Sequence, residues 1–250
     1  MFVTRSADEI ARCLELRDSG LNPSEIARLT GIPRATVRDW ISGLIPRSRR
    51  RRSCETCGQP THAWDELPPS YVYLLGVYLG DGCLSPHPRG VFKLRVSLDA
   101  RYPRILDEVE LAMQQARPSN PARRCKHPGC VEVYSYSKAW PCLLPQHGPG
   151  KKHERPITLE KWQEPLVERH PELFLRGLIH SDGCRFINTG SGGWRCPRYL
   201  FSNVSADIHG LFRGACDRLN LHWTQAGKKS TYVSRKADVA RMDEFIGPKR

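Results

Sequence analysis

The sequence predicts an α+β domain of two similar halves, preceded by a small all-α domain. The stretch at residues 74–82 returns at residues 175–183, each copy ending in an acid and a glycine. Each half begins with its copy and has one predicted order of elements: helix, strand, strand, helix, strand, helix. Three short amphipathic helices come before the first copy. We therefore predict a helical domain at 1–46, a basic linker at 47–67, and repeats at 68–152 and 153–250.

Composition and charge limit the classes of function. The 250 residues carry 39 Lys and Arg against 26 Asp and Glu, a formal net charge of +13. Such an excess attracts polyanions, of which nucleic acid is the commonest. The sequence shows neither a secretion signal nor a stretch long enough to span a bilayer. We therefore expect a cytoplasmic, nucleoid-associated protein without a membrane partner, whose ten cysteines are thiols or metal ligands.

The amino-terminal segment has the pattern of a helix-turn-helix. A helix is predicted at residues 7–18, followed by one that Asn22 or Ser24 caps and whose Leu29 points inward. A third helix, at residues 34–42, has the polar outer face of a helix that reads the major groove. The outward residues that we expect to contact DNA are Arg34, Thr36 and Arg38. Residues 24–40 resemble the helix-turn-helix of recombinases and bacterial regulators; the alternative is a three-helix unit that packs on a neighbour without touching DNA.

A run of arginines follows this segment. Residues 47–52 carry five arginines in six positions, and such like charges do not fold on their own. The run is typical of a tether that lies on phosphates or in a minor groove. The DNA-binding residues predicted there are Arg49, Arg50, Arg51 and Arg52.

Cys54 and Cys57 have the spacing of half a zinc site. Two thiolates three residues apart, with Gly58 after them, allow backbone amides to turn toward the sulfurs. His62 or the cluster at residues 125–130 would complete the ligand set. A structural Zn²⁺ is one interpretation, and buried or surface thiols are the other.

The repeated stretch predicts two helices that pack closely and end in acids. Small residues four positions apart leave one face of each helix without side-chain bulk. If these faces meet, Asp81 and Asp182 emerge at the same end, where Gly82 and Gly183 let the chain turn. Two neighbouring carboxylates suit a divalent cation; the alternative is a pair of core helices with exposed capping acids. The small residues are Gly76, Gly80, Gly177 and Ser181.

These stretches resemble the LAGLIDADG motif of homing endonucleases, matching its third, eighth and ninth positions in both copies. The resemblance covers residues 68–250 and implies a pseudo-twofold domain of two αββαβα repeats whose sheets form a saddle over DNA. It also implies that Asp81 and Asp182 bind Mg²⁺ at the scissile phosphates and act in catalysis. A lysine after a later strand assists in this family, and the order of elements indicates Lys138 and Lys236. One chain with both motifs is expected to act as a monomer.

Basic residues alternate with apolar ones in the strands that follow the motifs, which gives each strand one face for a core and one for an anion. We expect Lys93 and Arg95 in the first half, and Arg185 and Arg198 in the second, to contact DNA. Weaker candidates for ordering water are Asn203, Gln146 and Ser97.

Two functions are consistent with these features. The first is a site-specific, Mg²⁺-dependent endonuclease of double-stranded DNA, favoured because both acids are present. The second is a transcriptional regulator that binds DNA without cleavage, since some bacterial regulators combine a LAGLIDADG-like scaffold with a helix-turn-helix. A zinc-stabilised scaffold for protein contacts is a third interpretation, which the charge of +13 disfavours.

Overall fold

The computed structural model describes residues 7–44, 53–247 and 249. The chain divides into two compact units, Met1–Ser53 and Cys54–Arg250. The arginines predicted to contact DNA from the tether, Arg49, Arg50, Arg51 and Arg52, lie outside the described residues. Over the ranges just given, no helix is both long and apolar enough to cross a membrane.

The described part of the first unit, residues 7–44, has three helices: α1 (Ala7–Asp18), α2 (Pro23–Thr30) and α3 (Arg34–Ile41). Asn22 caps α2, because its side chain accepts hydrogen bonds from the backbone of Ser24 and Glu25. Glu25 returns a bond to the backbone N–H of Asn22 at 2.8 Å, which completes a capping box. Gly31 ends α2 in the left-handed region at φ 69°, a conformation that glycine adopts without steric cost.

A small core holds these helices together. Its buried members are Cys13, Ile26, Ile32, Val37 and Trp40. The prediction for Leu29 was wrong, because 63% of this residue is exposed. The inward face of an eight-residue helix is narrow, and residues of the turn and of α3 fill the rest of the core.

The second unit contains two repeats with the same order of elements. The first repeat comprises α4 (Ser70–Asp81), β1 (Gly82–His87), β2 (Val91–Asp99), α5 (Pro103–Ala116), β3 (Arg123–His127), β4 (Cys130–Ser137) and α6 (Trp140–Leu143). The connecting helix is α7 (Glu164–Arg169). The second repeat comprises α8 (Pro171–Asp182), β5 (Gly183–Thr189), β6 (Arg195–Ser202), α9 (Ala206–Arg218), β7 (Trp223–Ala226), β8 (Ser230–Val233) and α10 (Lys236–Ile246).

Each repeat forms a four-stranded antiparallel sheet, in the order β1-β2-β4-β3 and β5-β6-β8-β7. The predicted α+β class and the internal repeat are confirmed. The predicted order αββαβα was wrong by one strand in each half, because β3 and β7 were missed. Both are edge strands, and β3 is exposed along its whole length. In β7 only the first residue is partly buried. Short, exposed edge strands lack the apolar alternation by which strands are recognised.

Helices α4 and α5 pack on one face of the first sheet, and α8 and α10 pack on one face of the second. We call the opposite face of each sheet the open face. In β2 the side chains of Leu94, Val96 and Leu98 are buried. The alternating residues therefore lie on the open face, since successive side chains of a strand point to opposite sides.

Helices α4 and α8 pack against each other at the centre of the unit, as the small residues predict. A Cβ added at Gly76 would lie 2.5 Å from the carbonyl oxygen of Phe174, and one added at Gly177 would overlap the carbonyl oxygen of Tyr73. Atoms do not approach so closely, so both glycines are required for this backbone contact.

Candidate active site

Asp81 and Asp182 are the last residues of α4 and α8, and the helix contact brings them to one place. A Cβ added at Gly80 would lie only 2.9 Å from the Oδ2 atom of Asp182. Gly82 follows with an extended backbone, φ −79°, so the chain turns there without the left-handed conformation that glycine favours. Instead, a Cβ at Gly82 would lie 2.6 Å from the Cα of Tyr78. Glycine is needed there for close approach, which lets the strand leave directly from the helix end.

The surroundings of the two carboxylates raise their pKa values. Although the Asp81 residue keeps an exposed side, loss of solvation within the site, and then the charge of Asp182, raise its pKa to about 6. Loss of solvation also raises the pKa of Asp182. A hydrogen bond from Asn203 Nδ2 to Asp182 Oδ2, at 2.6 Å, acts in the opposite direction by stabilising the charged form. Two neighbouring carboxylates repel each other when both are ionised. A cation bound between them would offset this repulsion, so the pair is suited to sharing one.

Two lysines lie beside these acids. Lys152 donates hydrogen bonds to the carbonyl oxygens of Tyr78, Leu79 and Gly80, all in the last turn of α4. Lys249 donates to the carbonyl oxygen of Gly183, directly after α8. Burial lowers the pKa of Lys152 to about 8, although both aspartates favour its charged form. Burial likewise lowers the pKa of Lys249.

The lysines predicted from the order of elements lie elsewhere in the unit. Lys138 follows Ser137, which is opposite Phe92, whereas the acid end of β1 is opposite Val96. That separation of four strand residues is about 13 Å. Lys236 begins α10 and is exposed; the end of that helix nearer Lys249 is about 15 Å away. The structure therefore brings Lys152 and Lys249, rather than Lys138 and Lys236, to the acids.

Each of the two nearer lysines is carried by a segment that an arginine holds in place. Arg155 donates to the carbonyl oxygens of Gln146 at 3.1 Å and Gly150 at 2.9 Å, which fixes the segment before Lys152. Arg176 donates to the carbonyl oxygens of Phe245 and Ile246, the latter at 2.7 Å, just before Lys249. The two halves thus position their lysines by the same means.

His180 is a buried structural residue of this arrangement. Its Nε2 lies 3.2 Å from the carbonyl oxygen of Ile246, which can only accept, so Nε2 donates. Its Nδ1 then accepts from the hydroxyl of Tyr73 at 3.0 Å. Burial, together with the charge of Arg176, lowers the pKa of His180 to about 3. This neutral histidine ties α4, α8 and the end of α10 together.

The predicted DNA-contacting residues of the first sheet lie on the open face, but they are already paired with an acid. Lys93 Nζ lies 2.5 Å from Glu132, and an Arg95 nitrogen lies 3.9 Å from the same carboxylate. Arg123 shares this face because it is opposite Tyr134 in the register. It belongs to the missed strand β3, which is why sequence reasoning did not find it.

The two arginines predicted in the second sheet lie on opposite faces. Arg198 is on the open face, near the ring of Trp194. Arg185 is opposite Tyr199, whose side chain is in the core, and it forms a bidentate ion pair with Asp243 of α10. Arg185 therefore lies on the helix side, away from the other predicted contacts.

The remaining predicted residues are distributed as follows. Arg34 and Arg38 are exposed on α3, and Thr36 is half-buried.

Ser97 lies on the open face. Gln146 is buried and bonded to Gln163 at 2.5 Å, within the packing of the unit. Among the candidates for ordering water, the one whose hydrogen bond reaches an acid is Asn203.

A cluster of metal-ligand types lies apart from the acids. The ligand atoms of Cys54, Cys57, His62 and Cys142 all lie within 4.8 Å of one another. His62 was one of the residues proposed to complete the set, and Cys142 was not predicted. The alternative cluster at residues 125–130 lies instead in the exposed hairpin between β3 and β4.

Comparison with known protein families agrees with the predicted helix-turn-helix at the amino terminus. The family described as homeodomain-like domains matches residues 4–44. No curated protein matches the chain in a sequence search. The chain is similar in fold to LAGLIDADG proteins.

Three solved structures illustrate this similarity. Mesophilic variants of the homing endonuclease I-DmoI align over 71% of this chain and 94% of theirs, with 11% identity and a TM-score of 0.46. The N-terminal LAGLIDADG domain of DUF199/WhiA aligns over 75% of this chain and 89% of its own, with 16% identity and a TM-score of 0.44. The meganuclease I-AabMI bound to uncleaved DNA aligns over 70% of this chain and 82% of its own, with 13% identity and a TM-score of 0.45.

Proposed function

We propose that this chain binds double-stranded DNA at specific sequences and hydrolyses its phosphodiester bonds with the help of a divalent cation. The observation that carries this proposal is the meeting of Asp81 and Asp182 at the ends of two helices in contact, with Lys152 and Lys249 beside them. Carboxylates and ammonium groups in one place suit a reaction on a phosphate, in which negative charge must be both held and neutralised.

DNA binding is supported by features of both units. The homeodomain-like unit presents Arg34 and Arg38 on the exposed side of α3, where a recognition helix carries its base contacts. The open face of the first sheet adds Lys93, Arg95 and Arg123. The net charge of +13 provides the general attraction to phosphates.

The donor set of the acid pair fits Mg²⁺. Asp81 and Asp182, the last residues of α4 and α8, offer hard carboxylate oxygens, the ligand type that Mg²⁺ prefers. A divalent cation held there would neutralise a phosphate and lower the pKa of a water molecule. Asn203 keeps one oxygen of Asp182 in place, which orients the carboxylate toward a cation or a water molecule.

The two lysines have different roles in this proposal. Lys152 has three N–H donors, and three carbonyl oxygens of α4 accept from them. It therefore acts as a fixed positive charge that favours the ionised form of both acids. Lys249 has one described acceptor, the carbonyl oxygen of Gly183. It is the better candidate for direct contact with a phosphate.

A second candidate function is a DNA-binding regulator that does not cleave. One observation favours it: two ammonium groups already balance the two carboxylates, so the cluster is electrically complete with the chain's own residues. Such a cluster needs no metal ion to balance its charge and would leave DNA intact. The two candidates share the DNA interface and differ in the chemistry at the acids.

Binding-site selection followed by incubation with Mg²⁺ separates these candidates. Full-length protein would first select duplexes from a random pool, and the recovered duplexes would then be incubated with protein in Mg²⁺ and, separately, in Mn²⁺. Cleavage at a fixed position within the selected site supports the nuclease. Tight binding that leaves the duplex whole in both metals supports the regulator, and failure to select any sequence contradicts both.

A further inference from the structure

We infer that Cys54, Cys57, His62 and Cys142 form a structural zinc site that fastens the segment after the arginine tether to the first repeat. The distances carry this inference. Cys54 Sγ and Cys142 Sγ are 3.6 Å apart, and Cys57 Sγ and His62 Nε2 are 3.8 Å apart. Ligands around a tetrahedral zinc, with Zn–S bonds of about 2.3 Å, are separated by about 3.8 Å. All ligand atoms of the group meet within 4.8 Å.

The separation of the sulfurs indicates a metal rather than a disulfide. A disulfide requires about 2.05 Å between the sulfur atoms, and Cys54 and Cys142 are free thiols at 3.6 Å. Three thiols and an imidazole turned toward one point make few strong hydrogen bonds to each other. A zinc ion gives these groups a common partner, with three thiolates and a neutral histidine as its ligands.

The backbone around the first two cysteines has the form that such a site requires. The N–H of Gly58 donates to the carbonyl oxygen of Cys54 at 2.7 Å, and the N–H of Cys54 donates to the carbonyl oxygen of Gln59 at 2.7 Å. Gly58 has φ 75°, which glycine adopts without cost. This tight turn holds Cys54 and Cys57 on the same side of the segment.

Packing fixes the histidine in advance. The His62 ring stacks on Trp64 at 4.3 Å, and Trp64 stacks on Trp162 at 4.0 Å. Trp162 in turn lies 5.8 Å from Tyr71 of the core. A side chain held by such a stack loses little freedom when it binds a metal, so the site is preorganised.

Cys142 connects the site to the first motif helix. It lies in α6 beside Leu143, whose carbonyl oxygen accepts from the Tyr71 hydroxyl at 2.6 Å. Gln163 donates to the same hydroxyl at 2.7 Å. Tyr71 is at the start of α4 and Asp81 at its end, about 15 Å apart. The zinc would thus anchor the end of α4 opposite the acids, with four protein ligands and no open position for a substrate.

Metal content of the full-length protein, purified under reducing conditions, tests this inference. We expect about one zinc per chain, the stoichiometry of a four-ligand site. Cys142→Ser and Cys57→Ala should each lose most of it, whereas Cys125→Ser, at an exposed cysteine outside the cluster, should keep it. Cys57 lies in a surface turn, so that variant tests the site even if Cys142→Ser folds poorly. Co²⁺ in place of zinc should show the visible absorption of tetrahedral thiolate coordination.

Three results would overturn the inference. The first is wild-type protein that contains no zinc and, once reduced, takes up neither Zn²⁺ nor Co²⁺. The second is folded Cys142→Ser and Cys57→Ala protein with a full equivalent of zinc. The third is a Cys54–Cys142 disulfide that persists in protein purified with a reductant. None of these measurements depends on DNA cleavage, so they are independent of the proposed nuclease activity.

Discussion

At the scale of single residues, the two acids owe their properties to close neighbours. The Asp81 carboxyl has a pKa of about 6, against an ordinary value of 3.8, because the site removes water and places Asp182 beside it. Lys152 and Lys249 offset part of this effect. On balance, the cluster is less stable when Asp81 is ionised than when it is protonated. Groups with pKa values shifted in this way are common at functional sites.

Replacing Asp81 with asparagine should therefore stabilise the fold at neutral pH. Because the folded-state pKa lies above the unfolded value, the folded protein holds the proton more tightly, and stability falls as the pH rises from about 4 to about 6. The asparagine side chain carries no charge at any pH. Thermal unfolding should show Asp81→Asn with a higher Tm than wild type at pH 7 and a difference that shrinks toward pH 4.

Asp65→Asn is the matched control, since it neutralises an exposed carboxylate outside the cluster. It should not reproduce the pH-dependent gain. A lower Tm for Asp81→Asn at pH 7 would show that Asp81 contributes favourable interactions that outweigh its unfavourable ionisation.

Glu132 should limit DNA binding, because it pairs with Lys93 and lies near Arg95 on the open face. Glu132→Gln frees these cations for phosphates, so we expect tighter binding and a steeper salt dependence, by about one unit of slope for each new phosphate contact. Titration of a duplex at several salt concentrations measures both. Asp243→Asn, which unpairs Arg185 on the helix side, should leave both unchanged. Equal effects of the two variants would contradict the assignment of the open face.

The motif was sufficient to predict the positions of both acids, but not of the lysines. Lys138 and Lys236 were predicted from the order of the elements along the chain. The end of the sheet at which a residue lies depends instead on the register of strand pairing, which the order of elements does not give. The sequence does contain a signal for the other pair, because a Gly-Pro run with basic residues closes each half, at residues 148–152 and 247–250. A run of this kind is also typical of a surface loop. Only the contacts of Lys152 with α4 and of Lys249 with β5 in the folded protein distinguish a run beside the acids from a surface loop.

At the scale of elements, the α4–α8 contact decides where the acids meet. Gly76→Ala would place a methyl group 2.5 Å from the backbone oxygen of Phe174, and backbone cannot move aside easily. Overpacking of this kind costs about 1–3 kcal/mol or more. Gly177→Ala faces the backbone of Tyr73 and should behave similarly. Denaturant unfolding would measure both losses.

Gly210→Ala provides the control for these substitutions. Gly210 lies within α9, and an added Cβ meets nothing within 4 Å. Alanine there should stabilise the helix by about 0.5–1 kcal/mol. If Gly76→Ala were as stable as Gly210→Ala, the close packing of α4 on α8 would be contradicted.

The helices and inner strands were predictable because their apolar residues recur with a clear period. The edge strands were not predictable in this way. Strand β3 carries Arg, Lys and His at exposed positions, and it forms a strand only because it pairs with β4. The same limit applies to Cys142. Nothing near it in the sequence indicates a ligand, and it meets Cys54 only through the folding of the first repeat.

At the scale of the whole molecule, we expect the positive charge of the arginine run to add to the attraction between the chain and DNA. Replacing Arg49, Arg50, Arg51 and Arg52 by glutamine should weaken duplex binding and flatten its salt dependence. If all four contact phosphates, the slope of log K against log salt should fall by about 3.6 units. Arg104→Gln, on an exposed position of α5 in the helix layer, is the control. An unchanged slope would remove the arginine run from the DNA interface.

Single-turnover cleavage of the selected duplex tests the role of the acid pair most directly. Asp81→Asn and Asp182→Asn keep the size of each side chain and remove its charge, so both variants should bind the duplex nearly as tightly as wild type. Cleavage in Mg²⁺ should fall by at least about 100-fold, the usual scale for losing a major electrostatic contribution. Cleavage by either variant at the wild-type rate, or wild-type protein that binds the duplex tightly and never cuts it, would contradict a catalytic centre at Asp81 and Asp182.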